Sequence, residues 1–196
     1  MERKKEEEAV VLDFLPHGYP FDKRPMHLKK PIVQAIGKEN FTLLELVPRK
    51  GVFLQPYEEV YIGEAKRDKI HHINGKIPVD NLTQTAKSEL KHVIQDLVKK
   101  HEARFVEFFN KAQPISTRMH VLELLPGVGK KHMEEIVNER RTEPFKDFAD
   151  IRKRVKLMPD PVTTIVRRIL SELEGKEKHL LFVDRPPARE ERTKKN

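Results

Sequence analysis

The stretch MHVLELLPGVGKK, from Met119 to Lys131, leaves this chain less conformational choice than any other. Pro126 cannot extend a helical hydrogen-bond ladder, so the helix begun by Val121, Leu122 and Leu125 must stop there. Gly127 and Gly129 free the backbone for a left-handed residue and for close approach by another molecule. Met133, Ile136 and Val137 then resume apolar spacing of three and four, which predicts a second helix running to about Arg140. A short helix, a tight turn and a helix is the expectation. Amides gathered at such a turn, beside a helix N-terminus, form a concave donor site that suits a phosphate oxygen. The residues expected there are Gly127, Val128 and Gly129 through their amides, with Lys130 and Lys131 adding charge at the mouth.

This pattern resembles the helix-hairpin-helix motif, which grips nucleic-acid backbone without reading bases. The resemblance also implies that a monovalent cation on the hairpin carbonyls can assist. The bland alternative is a glycine-containing αα-hairpin with a purely structural role. A repeat bears on the choice. Shifting the chain by thirty-three positions lays Val155 on Leu122, Leu157 on Leu124, Met158 on Leu125, Pro159 on Pro126 and Ile169 on Ile136. The glycines are not kept: Asp160-Pro161-Val162 stands where Gly127-Val128-Gly129 stood. Pro161 has no amide to donate and Asp160 repels an anion, so the second hairpin reads as a structural copy. Only the first should hold phosphate.

The chain is long enough, at 196 residues, for one large or two small domains with a proper core. Its net charge of +8 favours a polyanionic partner. Without cysteine it has no disulfide framework, thiolate metal site or cysteine nucleophile. Neither a signal peptide nor an apolar run of membrane-spanning length is visible, so a cytoplasmic protein with no membrane partner is expected.

Ahead of the hairpin, Ala9 to Leu15, Pro31 to Ile36, Phe41 to Val47, Val60 to Gly63 and Lys69 to Ile73 read as strands. Asn74-Gly75 is the strongest short hairpin signal and predicts a turn back into Lys76 to Val79. Short strands without intervening helices suggest a small antiparallel OB-like barrel over 9–82. The loop from Phe21 to Lys30 mixes aromatic and basic residues that either stack bases or anchor the loop to the core. A single long amphipathic helix is expected over 83–113, capped by Asn81 or Thr83, then a tandem helix-hairpin-helix domain over 114–175. His179 to Asp184 reads as a strand, and a strand needs a sheet, so 176–184 is expected to return to the barrel's edge. The fold class is thus α+β, with disordered tails at 1–8 and 185–196.

Secondary basic contacts are expected from Arg140, Arg141, Arg152, Lys153 and Arg154, with Lys156 and Arg167-Arg168 as further candidates. His71 and His72 fall on opposite faces of a strand, which removes them as a joint metal site, and His17, His27 and His101 stand alone. No metal site, Walker loop, nucleophile elbow or dinucleotide glycine pattern is present, so no catalytic residue is assigned. Asp13, Asp22, Glu45, Glu58, Glu59 and Asp80 leave a metal-dependent nuclease or repair factor as one alternative, should they converge.

Beyond the hairpin, Glu139-Arg140-Arg141, Pro144-Phe145-Lys146-Asp147-Phe148, Met158-Pro159-Asp160-Pro161 and Lys178-His179-Leu180-Leu181-Phe182-Val183-Asp184 resemble an uncharacterised archaeal family, domain of unknown function family 655. The resemblance implies an OB-type barrel joined to a helix-hairpin-helix domain and a nucleic-acid-binding role connected with RNA or ribosomes. It transfers no catalytic residue. The expectation is a non-enzymatic protein that binds DNA or RNA, ribosomal RNA included, through the hairpin and a barrel surface. An adaptor that binds protein or the ribosome is the other alternative.

Overall fold

In strand β1 (Glu8–Leu15), the consecutive apolar residues Ala9 to Leu12 are all buried, so the strand is covered on both faces. It pairs antiparallel with β2 (Ile32–Gly37) on one side and β4 (Glu59–Tyr61) on the other. β3 (Leu43–Pro48) joins β2, and β5 (Ile70–Lys76) joins β3, giving the order β4-β1-β2-β3-β5. The sheet curls into an OB-like half-barrel, with β4 and β5 at its edges. Ala9, Val11, Val33, Leu46, Val60 and Ile62 fill its interior, the larger aliphatic side chains contributing about 1.5–3 kcal/mol each. These assignments come from a computed structural model that describes residues 5–187.

The opposite face of β2 carries Gln34, wholly buried and fully bonded. Its Nε2 donates to Tyr19 Oη (3.1 Å) and Asn81 O (2.9 Å), and its Oε1 accepts from Thr83 N (2.8 Å). Thr83 also donates through Oγ1 to Asp13 Oδ2 (2.6 Å) and accepts Ala86 N (3.0 Å), so it caps helix α1 (Gln84–Lys100) as the sequence allows. One buried amide therefore fixes both the loop after β1 and the start of the helix.

The chain forms two compact units, Met1–Val93 with Ser171–Asn196, and Ile94–Leu170. The second contains α2 (Glu102–Lys111), a ribbon of β6 (Pro114–Ser116) and β7 (Met119–His120), α3 (Lys130–Thr142) and α4 (Phe148–Arg154). It also holds most of α5 (Pro161–Leu173). No helix among the described residues is long and apolar enough to cross a membrane.

Four local expectations are corrected. Asn74-Gly75 makes no hairpin: β5 runs through it, with Leu46 opposite Ile73 and Glu45 opposite Gly75, so Asn74 is the extra residue of a bulge. The helix expected over 83–113 breaks at His101 (φ −107°, ψ 34°), where no proline or glycine stands. Just after the break, Glu102 Oε1 accepts Phe148 N (2.7 Å) and so pins the first residue of α4. No strand forms over 176–184, because the buried Glu172 carboxylate takes the amides of Leu181, Phe182 and Val183 (2.8–3.0 Å) that a ladder would need. That segment still returns: Phe182 and Val183 are buried, Asp184 N donates to Asn40 O (3.1 Å), and the Asp184 side chain pairs with Lys76. Finally, residues 5–8 are not a loose tail. The Glu6 carboxylate accepts the amides of Glu39, Asn40 and Thr42, and Glu8 opens β1. The expected tails at 1–4 and 188–196 lie outside the described residues.

Candidate nucleic-acid interface

The helix before the turn shrinks to a 3-10 turn, Val121–Leu124, because Pro126 leaves room for little more. It is capped reciprocally: Leu122 N donates to His120 Nδ1 (3.1 Å) and His120 N to Glu123 Oε1 (2.8 Å). Accepting that bond requires a lone pair on the imidazole. Burial first, and then the charge of Arg140, push the His120 pKa below its ordinary value and keep the ring neutral.

Leu125 to Val128 form the tight turn, closed by Val128 N donating to Leu125 O (3.0 Å). Gly127 sits at φ +82°, where a Cβ would lie 3.0 Å from Pro159 Cγ, so this glycine is needed twice over. Gly129 is different. It has φ −88° and ψ −178°, it is the N-cap of α3, and a Cβ there would meet nothing within 4 Å.

Val128 was expected to donate to a ligand, but its amide closes the turn and its side chain is buried. The amides of Gly127, Gly129, Lys130 and Lys131 have no acceptor among the described residues, and Gly129 to Lys131 are exposed. Lys130 and Lys131 form no ion pair among those residues, and no acidic residue occupies the first turn of α3. Two lysines at the positive end of a helix dipole is an arrangement that an anion would relieve.

Beneath the turn lies Arg168, an α5 residue only 2% exposed, whose Nη1 donates to Leu124 O (2.8 Å). Leu125 O accepts Val128 N and Gly129 O accepts Met133 N. Protein donors therefore already occupy three carbonyls around the turn, and Arg168 supplies fixed positive charge there. Spacing on the apolar face of α5 was the available signal for this role.

The other basic candidates divide. Arg140 is half-buried and closes the end of α2, donating to Phe109 O (2.8 Å) and Ala112 O (2.7 Å). Arg154 stacks on the Phe145 ring (4.5 Å to its centroid), pairs with Glu139 and Asp150, and donates to the Glu139 and Glu143 carbonyls. Both are structural members of the unit. Arg141 and Lys153 are exposed, and Arg152 is bridged to Asp160 (3.3 Å).

In the second hairpin Asp160 serves α5, accepting Thr163 N and Thr163 Oγ1, both at 2.9 Å. Its tip is Leu157, at φ +56° and 90% exposed.

On the half-barrel, His71 is a second extra residue in β5, since Val47 faces His72 and Pro48 faces Ile70. This bulge overturns the opposite-faces reading: the two rings sit side by side, Nδ1 to Nδ1 at 2.7 Å. A continuous bonded strip follows. His72 Nε2 meets Asn74 Oδ1 (2.9 Å), Asn74 Nδ2 donates to Glu45 Oε1 (2.7 Å), and Tyr19 Oη donates to Glu45 Oε2 (2.5 Å). Burial, reinforced by that carboxylate, raises the Tyr19 pKa. Phe21 stacks on Tyr19 (4.9 Å, 9°) and is 77% exposed. Of the residues weighed as loop anchors, Tyr19 is held by Glu45 and Gln34, whereas Phe21 lies open to solvent.

Five of the six carboxylates weighed for a nuclease are separately engaged: Asp13 by Thr83, Asp22 by Arg24, Glu58 by Lys69, Glu59 by Lys38, and Glu45 within the strip. Among the described residues no three His, Asp or Glu side chains gather as a metal-holding group.

Fold and site together define an OB-like half-barrel followed by a unit of two helical hairpins, the first with open amides and free lysines. The chain belongs to the DUF655 family, described as proteins of unknown function, whose model matches residues 5–184. It is 46% identical over 183 residues to the uncharacterized protein MJ0038 of Methanocaldococcus jannaschii, spanning 92% of this chain and 81% of that one. The crystal structure of Af1531 from Archaeoglobus fulgidus, a DUF655 protein, superposes with a TM-score of 0.84 at 46% identity. That match covers 91% of this chain and all of Af1531.

Proposed function

We propose that this protein binds nucleic acid, DNA or RNA, by its backbone and without reading sequence. The first hairpin acts as a helix-hairpin-helix phosphate site: the Gly127, Gly129, Lys130 and Lys131 amides meet phosphate oxygens, and the two lysine side chains supply charge. The strip from Phe21 to His71 is the second surface, offering stacking faces and hydrogen-bonding edges to unpaired bases. The protein works in the cytoplasm, where RNA, ribosomal RNA included, is an available ligand. The observation that carries the reading is the unpaired lysine pair over open amides at the start of α3.

The test is a salt titration of binding to single- and double-stranded DNA and RNA, comparing the native protein with Gly129→Asp. The extended backbone and open space at Gly129 admit the aspartate, which caps α3 and places its carboxylate on the amides. The variant should be as stable as the parent, lose at least about tenfold in affinity, and show a shallower salt slope by about one. Equal affinity and slope in a folded variant would refute the site.

A further inference from the structure

The second hairpin has no phosphate-binding turn, yet its tip is the most exposed large hydrophobic of the described residues: Leu157, 90% exposed. The residue also stands at φ +56°, a left-handed conformation that a leucine adopts only against steric resistance. Nothing in the packing of the unit rewards this placement, because so exposed a side chain stabilises no core. Strain held at an exposed position points toward a role outside the fold. Around the tip, the acids are committed. Glu135 accepts Lys156 N (2.9 Å), and Asp160 caps α5 and pairs with Arg152. Lys153 and Lys156 are exposed and form no ion pair among the described residues. The tip is an apolar point set in positive charge. It lies close to the first hairpin as well: Pro159, two residues on, is the side chain against which Gly127 is packed. Leu157 Cα is therefore within about 8 Å of Pro159 Cα.

We infer that Leu157 is a wedge that enters the base stack of a duplex whose backbone is held at the first hairpin, an inference that rests on the phosphate-site reading above. Apolar side chains set among cations are suited to this, since the cations hold the phosphates while the side chain parts a base step. The charge around the tip favours nucleic acid over an apolar protein groove.

The experiment uses DNA and RNA duplexes carrying one 2-aminopurine, whose emission rises when its base unstacks, with the native protein, Leu157→Asn, Leu157→Met and Gly129→Asp. Asparagine accepts the left-handed backbone and removes the apolar tip. Native protein and Leu157→Met should brighten the probe on binding. Leu157→Asn should keep the salt slope, lose about tenfold in affinity, lose the brightening, and melt no lower than the parent. If the native protein binds without brightening and Leu157→Asn binds equally well, the wedge is refuted while the phosphate site stands. If the native protein binds no duplex at all, both fall. A native dimer in sedimentation that Leu157→Asn dissolves, with duplex binding unchanged, would make Leu157 a protein contact and overturn the inference. A lower melting temperature in Leu157→Asn would show that the side chain packs in the fold, and would overturn it too.

Discussion

Removing the Glu172 carboxylate should release the returning C-terminal segment. The side chain is wholly buried and accepts Leu181 N (2.8 Å), Phe182 N (3.0 Å) and Val183 N (2.9 Å). Each charge-assisted bond contributes about 1.5–3 kcal/mol, so losing all three with the segment in place would cost roughly 5–9 kcal/mol. The segment has a cheaper course, which is to detach. Detachment exposes Phe182 and Val183, which are 5% and 0% exposed, at about 1.5–3 kcal/mol each. The smaller sum decides the outcome, so Glu172→Ala should cost about 3–6 kcal/mol through local release. Glu172→Gln keeps one oxygen but turns an N–H toward a donor, and should cost about 2 kcal/mol. Urea unfolding gives the magnitude, and amide exchange separates local from global loss. In Glu172→Ala the amides of 181–183 should exchange near the unprotected rate while those of β1 and β2 stay protected. Amides at 181–183 as slow as in the parent, or an unchanged unfolding midpoint, would refute the argument.

Two further substitutions probe the hairpin itself. Gly127→Ala should destabilise by about 1–2 kcal/mol in urea, because φ +82° disfavours a Cβ and Pro159 lies 3.0 Å from where it would stand. The contrast with the tolerant Gly129 is the internal control. His120→Asn should flatten the acid limb of the stability profile. The folded-state pKa of His120 lies below its ordinary value of 6.5, so the unfolded state takes up the proton first, and stability falls as pH drops through that value and levels off below the folded pKa. Asparagine keeps an oxygen to cap the 3-10 turn, so its urea midpoint should not fall with the parent's between about pH 7 and about pH 5.

What could be read from the sequence was the local part of the structure. Pro126, Gly127 and Gly129 dictate a turn through their own backbone chemistry, and the strands announce themselves by apolar runs. What escaped depends on partners distant in sequence. Asn74-Gly75 carries the preferences of a turn, but Glu45, twenty-nine positions away, takes the Asn74 amide and holds the pair inside a strand as a bulge. The same kind of insertion at His71 undoes the two-residue alternation that would set His71 and His72 on opposite faces. Arg140 and Arg154 look like members of a charged surface, yet each satisfies main-chain carbonyls in its unit. Charge in a sequence does not report whether it is already used.

The repeat shows how one scaffold can carry two different tips. Leu157 corresponds to Leu124, and both stand two residues before the turn proline. Leu124 is half-buried within its 3-10 turn, and its carbonyl is taken by Arg168. Leu157 follows α4 directly in a left-handed conformation and points its side chain at solvent. Register, turn proline and following helix are kept, so the repeat alone does not force the difference. In the first copy the glycines leave the amides open and the apolar residues packed. In the second, Asp160 and Pro161 close the amides, and the leucine faces out. A duplication kept only for structure would be expected to bury its leucine and relax that backbone. The exposed, strained Leu157 is the departure that such a copy does not explain.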